Sequence, residues 1–127
     1  MILYIVRGLP GSGKSTYAKS LNCFHIENDM MKIKNGVYDS KSKPSKAKSD
    51  VEILVDTVLR MDCDVVVSNV FHTLKSIQPF LYIAKLVGAQ VKIIKVTGSF
   101  GNIHSVPVVA MRTFAKYWEN IDGEEVV

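Results

Sequence analysis

An α/β domain is predicted from three features of this 127-residue sequence: a mostly parallel four-stranded sheet flanked by helices in three layers. Near-continuous apolar runs recur at residues 2–6, 65–67 and 91–96, as strands of a parallel sheet covered on both faces require. Stretches with helical apolar spacing lie between them. The first apolar run leads straight into a glycine-rich turn, Gly8-Leu9-Pro10-Gly11-Ser12-Gly13-Lys14-Ser15-Thr16, which can continue as a helix. Strands alternating with helices in this way form a parallel sandwich with right-handed crossovers.

Taken in order, residues 2–6 form the first strand and residues 14–21 the first helix. A short strand at 24–26 is followed at once by Glu27-Asn28-Asp29. Asp29 is thereby set at the carboxyl end of a strand, on the rim where open α/β sheets bind ligands. A short helix is expected over 30–35, stopped by Gly36. Residues 37–48 are polar, with Lys41, Lys43, Lys46, Lys48 and Pro44, and read as a connection into a long helix over 45–61. In that helix Val51, Leu54, Val55, Val58 and Leu59 share one apolar face. The strand at 65–67 ends in Ser68-Asn69. A helix spans 74–87, closed by Gly88, with Pro79 tolerated only in or near the first turn. The strand at 91–96 is followed by a Gly- and Ser-containing loop over 97–105. Pro107 opens a last helix carrying Val108, Met111, Ala115 and Trp118 on one side. The tail from Asp122 is expected to fray.

Composition narrows the class. An apolar fraction of 47% and a charged fraction of 22% are those of a globular protein able to bury a core. No apolar run reaches the roughly 18 residues a membrane span needs. Met1 runs into a strand with no basic leader, so no signal peptide and a cytoplasmic location are expected. Two cysteines, Cys23 and Cys63, are too few for a disulfide framework and are expected to be reduced and structural. Residues 1–48 hold nine Lys/Arg against three Asp/Glu, whereas residues 49–127 hold seven against nine. The basic half surrounds the glycine-rich loop, which suits an anionic ligand, polynucleotides included.

The loop fits the Walker A pattern G-x-x-x-x-G-K-[ST] through Gly8, Gly13, Lys14 and Ser15. Backbone N–H groups of such a loop converge on phosphate oxygens at a helix N-terminus. Lys14 is expected to reach the β- and γ-phosphates of ATP or another nucleoside triphosphate, and the Ser15 hydroxyl to ligate Mg²⁺. Gly8, Pro10, Gly11, Ser12, Gly13, Lys14, Ser15 and Thr16 are the nucleotide-binding residues on this reading.

The loop, then Glu27-Asn28-Asp29, then Ser68-Asn69 after a strand, then Asn102-Ile103-His104-Ser105-Val106-Pro107, occur in an order that resembles the small P-loop kinases of the polynucleotide 5′-hydroxyl kinase type. The resemblance runs over residues 1 to 119 and is nearest to the short phage-encoded ATP-binding members of that group. It implies a P-loop kinase-like fold and transfer of the γ-phosphoryl of ATP to a hydroxyl acceptor, a nucleic-acid 5′-hydroxyl or a nucleotide. Asp29 matches the aspartate that accepts the acceptor's proton in those kinases, the preferred reading; the alternative is a cap for the short helix after it. Lys32 falls where the family has an arginine on the acceptor's phosphate, and supplies the charge without the bidentate fork. Ser68-Asn69 stands where many P-loop enzymes keep a Walker B aspartate, which leaves Mg²⁺ to Ser15, phosphates and water. Asn69 either touches the acceptor or caps the strand end. Residues 97–107 resemble the lid, with Gly101 where the active kinases carry an arginine; Arg112 on the last helix is a candidate replacement. His104 recurs in the lid motif and is a binding candidate.

Two other signals carry less. Asp62-Cys63-Asp64 precedes a strand, whereas phosphatase chemistry needs its acid pair after one. Tyr117-Trp118 has the spacing of core residues as much as of a base-stacking platform. Two other classes stay open from sequence: a nucleotide-binding protein with little catalysis, and a nucleic-acid-binding module resting on the lysines of 32–48.

Overall fold

The computed structural model describes residues 1–27, 33–34, 37–38, 44–98 and 108–127. Eleven elements follow one another there: β1 (Ile2–Arg7), α1 (Lys14–Ser20), β2 (Phe24–Glu27), β3 (Ile33–Lys34), β4 (Val37–Tyr38), α2 (Pro44–Arg60), β5 (Val65–Asn69), α3 (Leu74–Val87), β6 (Gln90–Lys95), α4 (Val108–Lys116) and β7 (Glu125–Val126). Five strands make one sheet in the order β2-β5-β1-β6-β7, and every pairing in it is parallel.

The two strands at the centre are the most apolar, for the expected reason. Leu3, Ile5 and Val6 of β1 and Val65, Val66 and Val67 of β5 are all buried, because helices cover both faces. One face packs Leu3, Ile5, Ile26, Val65 and Val67 against α2 and α3. The apolar stripe predicted for α2 is the one it buries: Val51, Val55, Val58 and Leu59 are inside, and Leu54 packs at their margin. The opposite face packs Val6, Val66, Ile94 and Val96 against Ala18 of α1. The sandwich is therefore three-layered, with α2 and α3 on one face of the sheet and α1 on the other.

Helix α3 is bounded as its sequence predicts. The Thr73 hydroxyl accepts a hydrogen bond from the Ser76 N–H at 3.3 Å, and Gly88 ends the helix in the left-handed region at φ 75°. Pro79 departs from expectation, lying at the sixth helical residue rather than in the first turn. Burial of Ile77, Phe80 and Ala84 around it holds the helix despite the missing N–H.

Other expectations are corrected. The sheet has five strands, not four, because the tail does not fray. Glu125 and Val126 pair with Ile94 and Lys95, and the Val127 N–H donates to the Lys95 carbonyl at 2.8 Å. Of the helix expected over 30–35, the two described residues are strand instead: Ile33 and Lys34 pair antiparallel with Tyr38 and Val37, and the rest of that stretch lies outside the described residues. Trp118 lies past the end of α4, not on it. Cys63 is exposed rather than structural, whereas Cys23 packs half-buried at the margin of the core, where burial pushes its thiol up. No helix among the described residues is long and apolar enough to cross a membrane.

The tail is held by Arg7, the last residue of β1. Its side chain has no exposed surface. Nε donates to the Phe71 carbonyl at 2.9 Å, one terminal nitrogen to the Glu119 carbonyl at 2.8 Å, and the other to the Glu124 carboxylate at 2.6 Å. The guanidinium lies 4.2 Å from the centre of the Trp118 ring. Removing the acid leaves a buried cation without its counter-charge, so Glu124→Ala is expected to cost about 3–5 kcal/mol in urea unfolding. A loss below about 1 kcal/mol would show that the carbonyls and the ring suffice.

Candidate functional site

The loop of residues 8–13 leaves β1 at the carboxyl edge of the sheet, with β5 and β6 on either side of that strand. Its shape is set by backbone hydrogen bonds. The Gly8 N–H donates to the Val70 carbonyl at 3.3 Å, the Ser12 N–H to the Leu9 carbonyl at 3.0 Å, and the Tyr17 N–H to the Gly13 carbonyl at 3.0 Å. Gly11 and Gly13 take positive φ of 80° and 90°, a conformation that disfavours side chains. Gly8 is required for space instead. A Cβ there would stand 2.3 Å from the Ser12 hydroxyl oxygen and 2.8 Å from the Val96 carbonyl.

Within this loop the Ser12 side chain is buried, and its hydroxyl has no hydrogen-bond partner. An orphaned buried hydroxyl costs about 1–3 kcal/mol until something satisfies it. Two cavities border it. One of 310 Å³ is lined by Leu9, Lys95, Thr97 and Trp118. The other, of 510 Å³, is lined by Gly13, Thr16, Tyr17 and Gly98.

Ser15 stands at the start of α1 and donates to Oε1 of Glu27, the last residue of β2, at 2.5 Å. The same oxygen accepts from the Ser68 hydroxyl at 2.9 Å and lies 3.0 Å from His25 Nε2. His25 Nε2 is also 2.9 Å from the Ser68 oxygen. With Ser68 donating to Glu27, that contact requires a proton on Nε2. Partial burial pushes the Glu27 carboxyl up, but the hydrogen bonds from Ser15 and Ser68, with the charges of His25 and Lys14, outweigh it and hold the group below its ordinary range. It is an ionised carboxylate one hydrogen bond from the loop.

The sequence-predicted residues fall into three groups. Gly8, Pro10, Gly11, Ser12, Gly13, Lys14, Ser15 and Thr16 are brought together at the head of β1 and α1, and Asn69 joins them. Asn69 pairs in register with Arg7 at the end of β5. Its Oδ1 accepts from the Val70 N–H at 2.8 Å, the turn-capping role weighed for it. It also lines a cavity of 280 Å³ walled by Phe71, His72, Phe80 and Phe114. Arg112 sits exposed on α4 and makes no hydrogen bond or ion pair among the described residues. Asp29, Lys32, Gly101 and His104 lie outside the described residues.

Sequence reasoning passed over Glu27, Ser68 and His25 as partners. The available signal was an acid closing one strand beside a neighbouring strand that ends in Ser68. In the Asp62-Cys63-Asp64 segment, the Asp64 carboxylate accepts from the Ile2 N–H at 2.8 Å and ties down the start of β1.

No family model matches the chain, and no curated protein matches it. Solved structures do. The structure of a Pnkp1/Rnl/Hen1 complex aligns over 97% of this chain with a TM-score of 0.68 and 20% identity. The chain spans 44% of that neighbour's length. A sugar kinase from Janibacter sp. HTCC2649 aligns over all of this chain and 83% of its own, at a TM-score of 0.69 and 12% identity. Kti12 from Chaetomium thermophilum, in complex with ADP-AlF3, aligns over 98% and 88% at a TM-score of 0.66 and 12% identity. These likenesses establish the fold, an α/β sandwich of the P-loop kinase kind.

The crowding at Gly8 gives a direct test of the loop. Gly8→Ala is expected to destabilise the protein by about 1–3 kcal/mol in thermal unfolding, the usual cost of overpacking. Adding Ser12→Gly should recover part of the loss and not all, because the Val96 carbonyl stays where it is.

Proposed function

We propose that the chain is an ATP-dependent phosphotransferase that moves the γ-phosphoryl group to a hydroxyl acceptor, a nucleic-acid 5′-hydroxyl or a nucleotide. The observation that carries the reading is the 8–13 loop at the carboxyl edge of the central strand, with the Ser12 hydroxyl buried and unsatisfied inside it. A phosphate oxygen is the kind of partner this loop collects. The neighbours support the general class: one is a sugar kinase, and another was solved with ADP-AlF3.

On this reading Lys14 lies along the β- and γ-phosphates, and the remaining loop N–H groups hold the donor. The Ser15 hydroxyl, whose proton goes to the Glu27 carboxylate, offers the oxygen ligand a hard divalent cation takes. Among the described residues no three His, Cys, Asp or Glu side chains cluster into a cage, so the cation would share its shell with the nucleotide's phosphates. Mg²⁺, when bound with the nucleotide, neutralises charge on the β- and γ-oxygens. Asp29 acts as base: it takes the acceptor's hydroxyl proton as that oxygen bonds to the γ-phosphorus. The bond from the γ-phosphorus to its bridging oxygen breaks, and ADP departs with the electron pair. Lys32, His104 and Arg112 are the candidates for holding the acceptor's charge. Asn69 and the aromatic cavity beside it suit a ring-bearing acceptor, and the basic balance of residues 1–48 suits an anionic one.

The test is transfer from labelled ATP to a panel of 5′-hydroxyl oligonucleotides, nucleosides and nucleotides, run beside ATP-induced thermal shifts. Lys14→Ala should abolish the shift. Asp29→Asn should keep it while transfer falls about 100-fold or more, the usual worth of a positioned base. ATP bound with no transfer to any acceptor would instead identify a nucleotide-binding protein, the reading that Ser68 and Gly101 favour. Oligonucleotide binding that is steeply salt-dependent and indifferent to Lys14→Ala would point to a nucleic-acid-binding module.

A further inference from the structure

We propose that Glu27 is a positioning residue for the divalent cation of bound nucleotide: from the end of β2, and through Ser15, it does the work that an acid at the end of β5 would otherwise do. The inference rests on the nucleotide reading above and concerns one hydroxyl in it.

A hydroxyl that ligates a cation must turn a lone pair toward the metal and its proton elsewhere. The Ser15 proton already has its acceptor. Oε1 of Glu27 stands 2.5 Å away, a short hydrogen bond to an ionised oxygen and so a strong one. That bond fixes the side chain and leaves both Ser15 lone pairs free of protons.

The carboxylate is itself held. Ser68 donates to Oε1 at 2.9 Å from the facing register position on β5, and His25 Nε2 lies 3.0 Å away from two residues upstream on β2. Both contacts come from rigid strands, which is what a partner of a metal ligand needs to keep its aim. Sequence inspection places no acid at the end of β5; the geometry places one on the adjacent strand, in contact with the same serine.

Equilibrium binding of ATP to the full chain, measured by calorimetry in excess Mg²⁺ and again in EDTA, separates this role from simple support of the fold. The quantity read is the gain in ATP affinity on adding metal. Glu27→Gln keeps shape and accepting oxygen and loses the charge. It should cut the metal-dependent gain about tenfold or more, the usual effect of removing a metal ligand's partner. Its affinity for ATP in EDTA should hold or rise, since a negative charge near the phosphates is gone. Glu27→Asp should give an intermediate gain, and it carries the test alone if Glu27→Gln fails to fold. Ser15→Ala should lose the gain as well, and the double variant should lose no more than Ser15→Ala. Bound Mn²⁺ in the presence of ATP, followed by its electron paramagnetic resonance signal, should weaken in parallel. An undiminished metal gain in the Glu27 variants, or equal weakening with metal and in EDTA, would overturn the proposal while leaving nucleotide binding intact. Failure of the unmodified chain to bind ATP under either condition would overturn both.

Discussion

The architecture turns on a charge that never meets water. A guanidinium is ionised at any ordinary pH, and taking it out of solvent costs several kcal/mol unless its donors and its charge are all answered. Arg7 meets that demand with acceptors from Phe71, Glu119 and Glu124 and with the Trp118 ring against its face. These partners lie 64 to 117 positions away in sequence. One side chain thus gathers the end of β1, the loop after β5 and the segment after α4. Arg7 also immediately precedes Gly8, so whatever fixes the guanidinium fixes the point where the loop leaves the sheet. The loop's geometry is a consequence of the tail being in place.

This arrangement decides which charges the loop feels. Arg7 is spent on Glu124, and little of its field remains for a ligand. Beside the loop stand Lys14 and the ionised Glu27 carboxylate, opposite in sign, with Lys95 lining the cavity at Ser12. On the proposed function, the Glu27 carboxylate beside Ser15 works against a bare polyphosphate. A divalent cation accompanying the phosphates would answer that carboxylate, while the phosphates answer the lysine. The proposed function therefore implies a preference for a metal–nucleotide pair, with no cluster of three His, Cys, Asp or Glu side chains among the described residues to hold the metal alone.

The parts of this protein that were legible in sequence are those whose causes are local. The strands at 2–6 and 65–67 show as apolar runs because helices cover both faces. The buried face of α2 shows as a periodic stripe, and Gly88 marks the end of α3 because a left-handed residue is needed there. The glycine-rich loop is likewise contained in nine consecutive residues. Features that depend on topology were not legible. β3, β4 and β7 are two residues each, too short to carry a period, and Glu125 and Val126 are exposed, so nothing in their pattern announces a strand. Arg7 reads as the polar end of an apolar strand until the tail is seen to cover it. Glu27 reads as a step toward Asp29 until the sheet order brings β2 beside β5.

That sheet order also explains why the end of β5 has no acid. Glu27 and Ser68 are direct register partners on adjacent parallel strands. Carboxylates at both positions would face each other across the ladder, and like charges so placed oppose ionisation and pairing alike. Only one of the two positions can hold an acid at little cost, and the other then does best as a donor. Here the acid is on β2 and the donor on β5, with His25 adding a second contact on the same oxygen. Ser68 is therefore the complement of Glu27, not a gap in the site. A P-loop protein scanned for an acid at the end of the strand beside β1 would be judged deficient at this point. In three dimensions the carboxylate is present, one strand over, and already bonded to the serine of the loop.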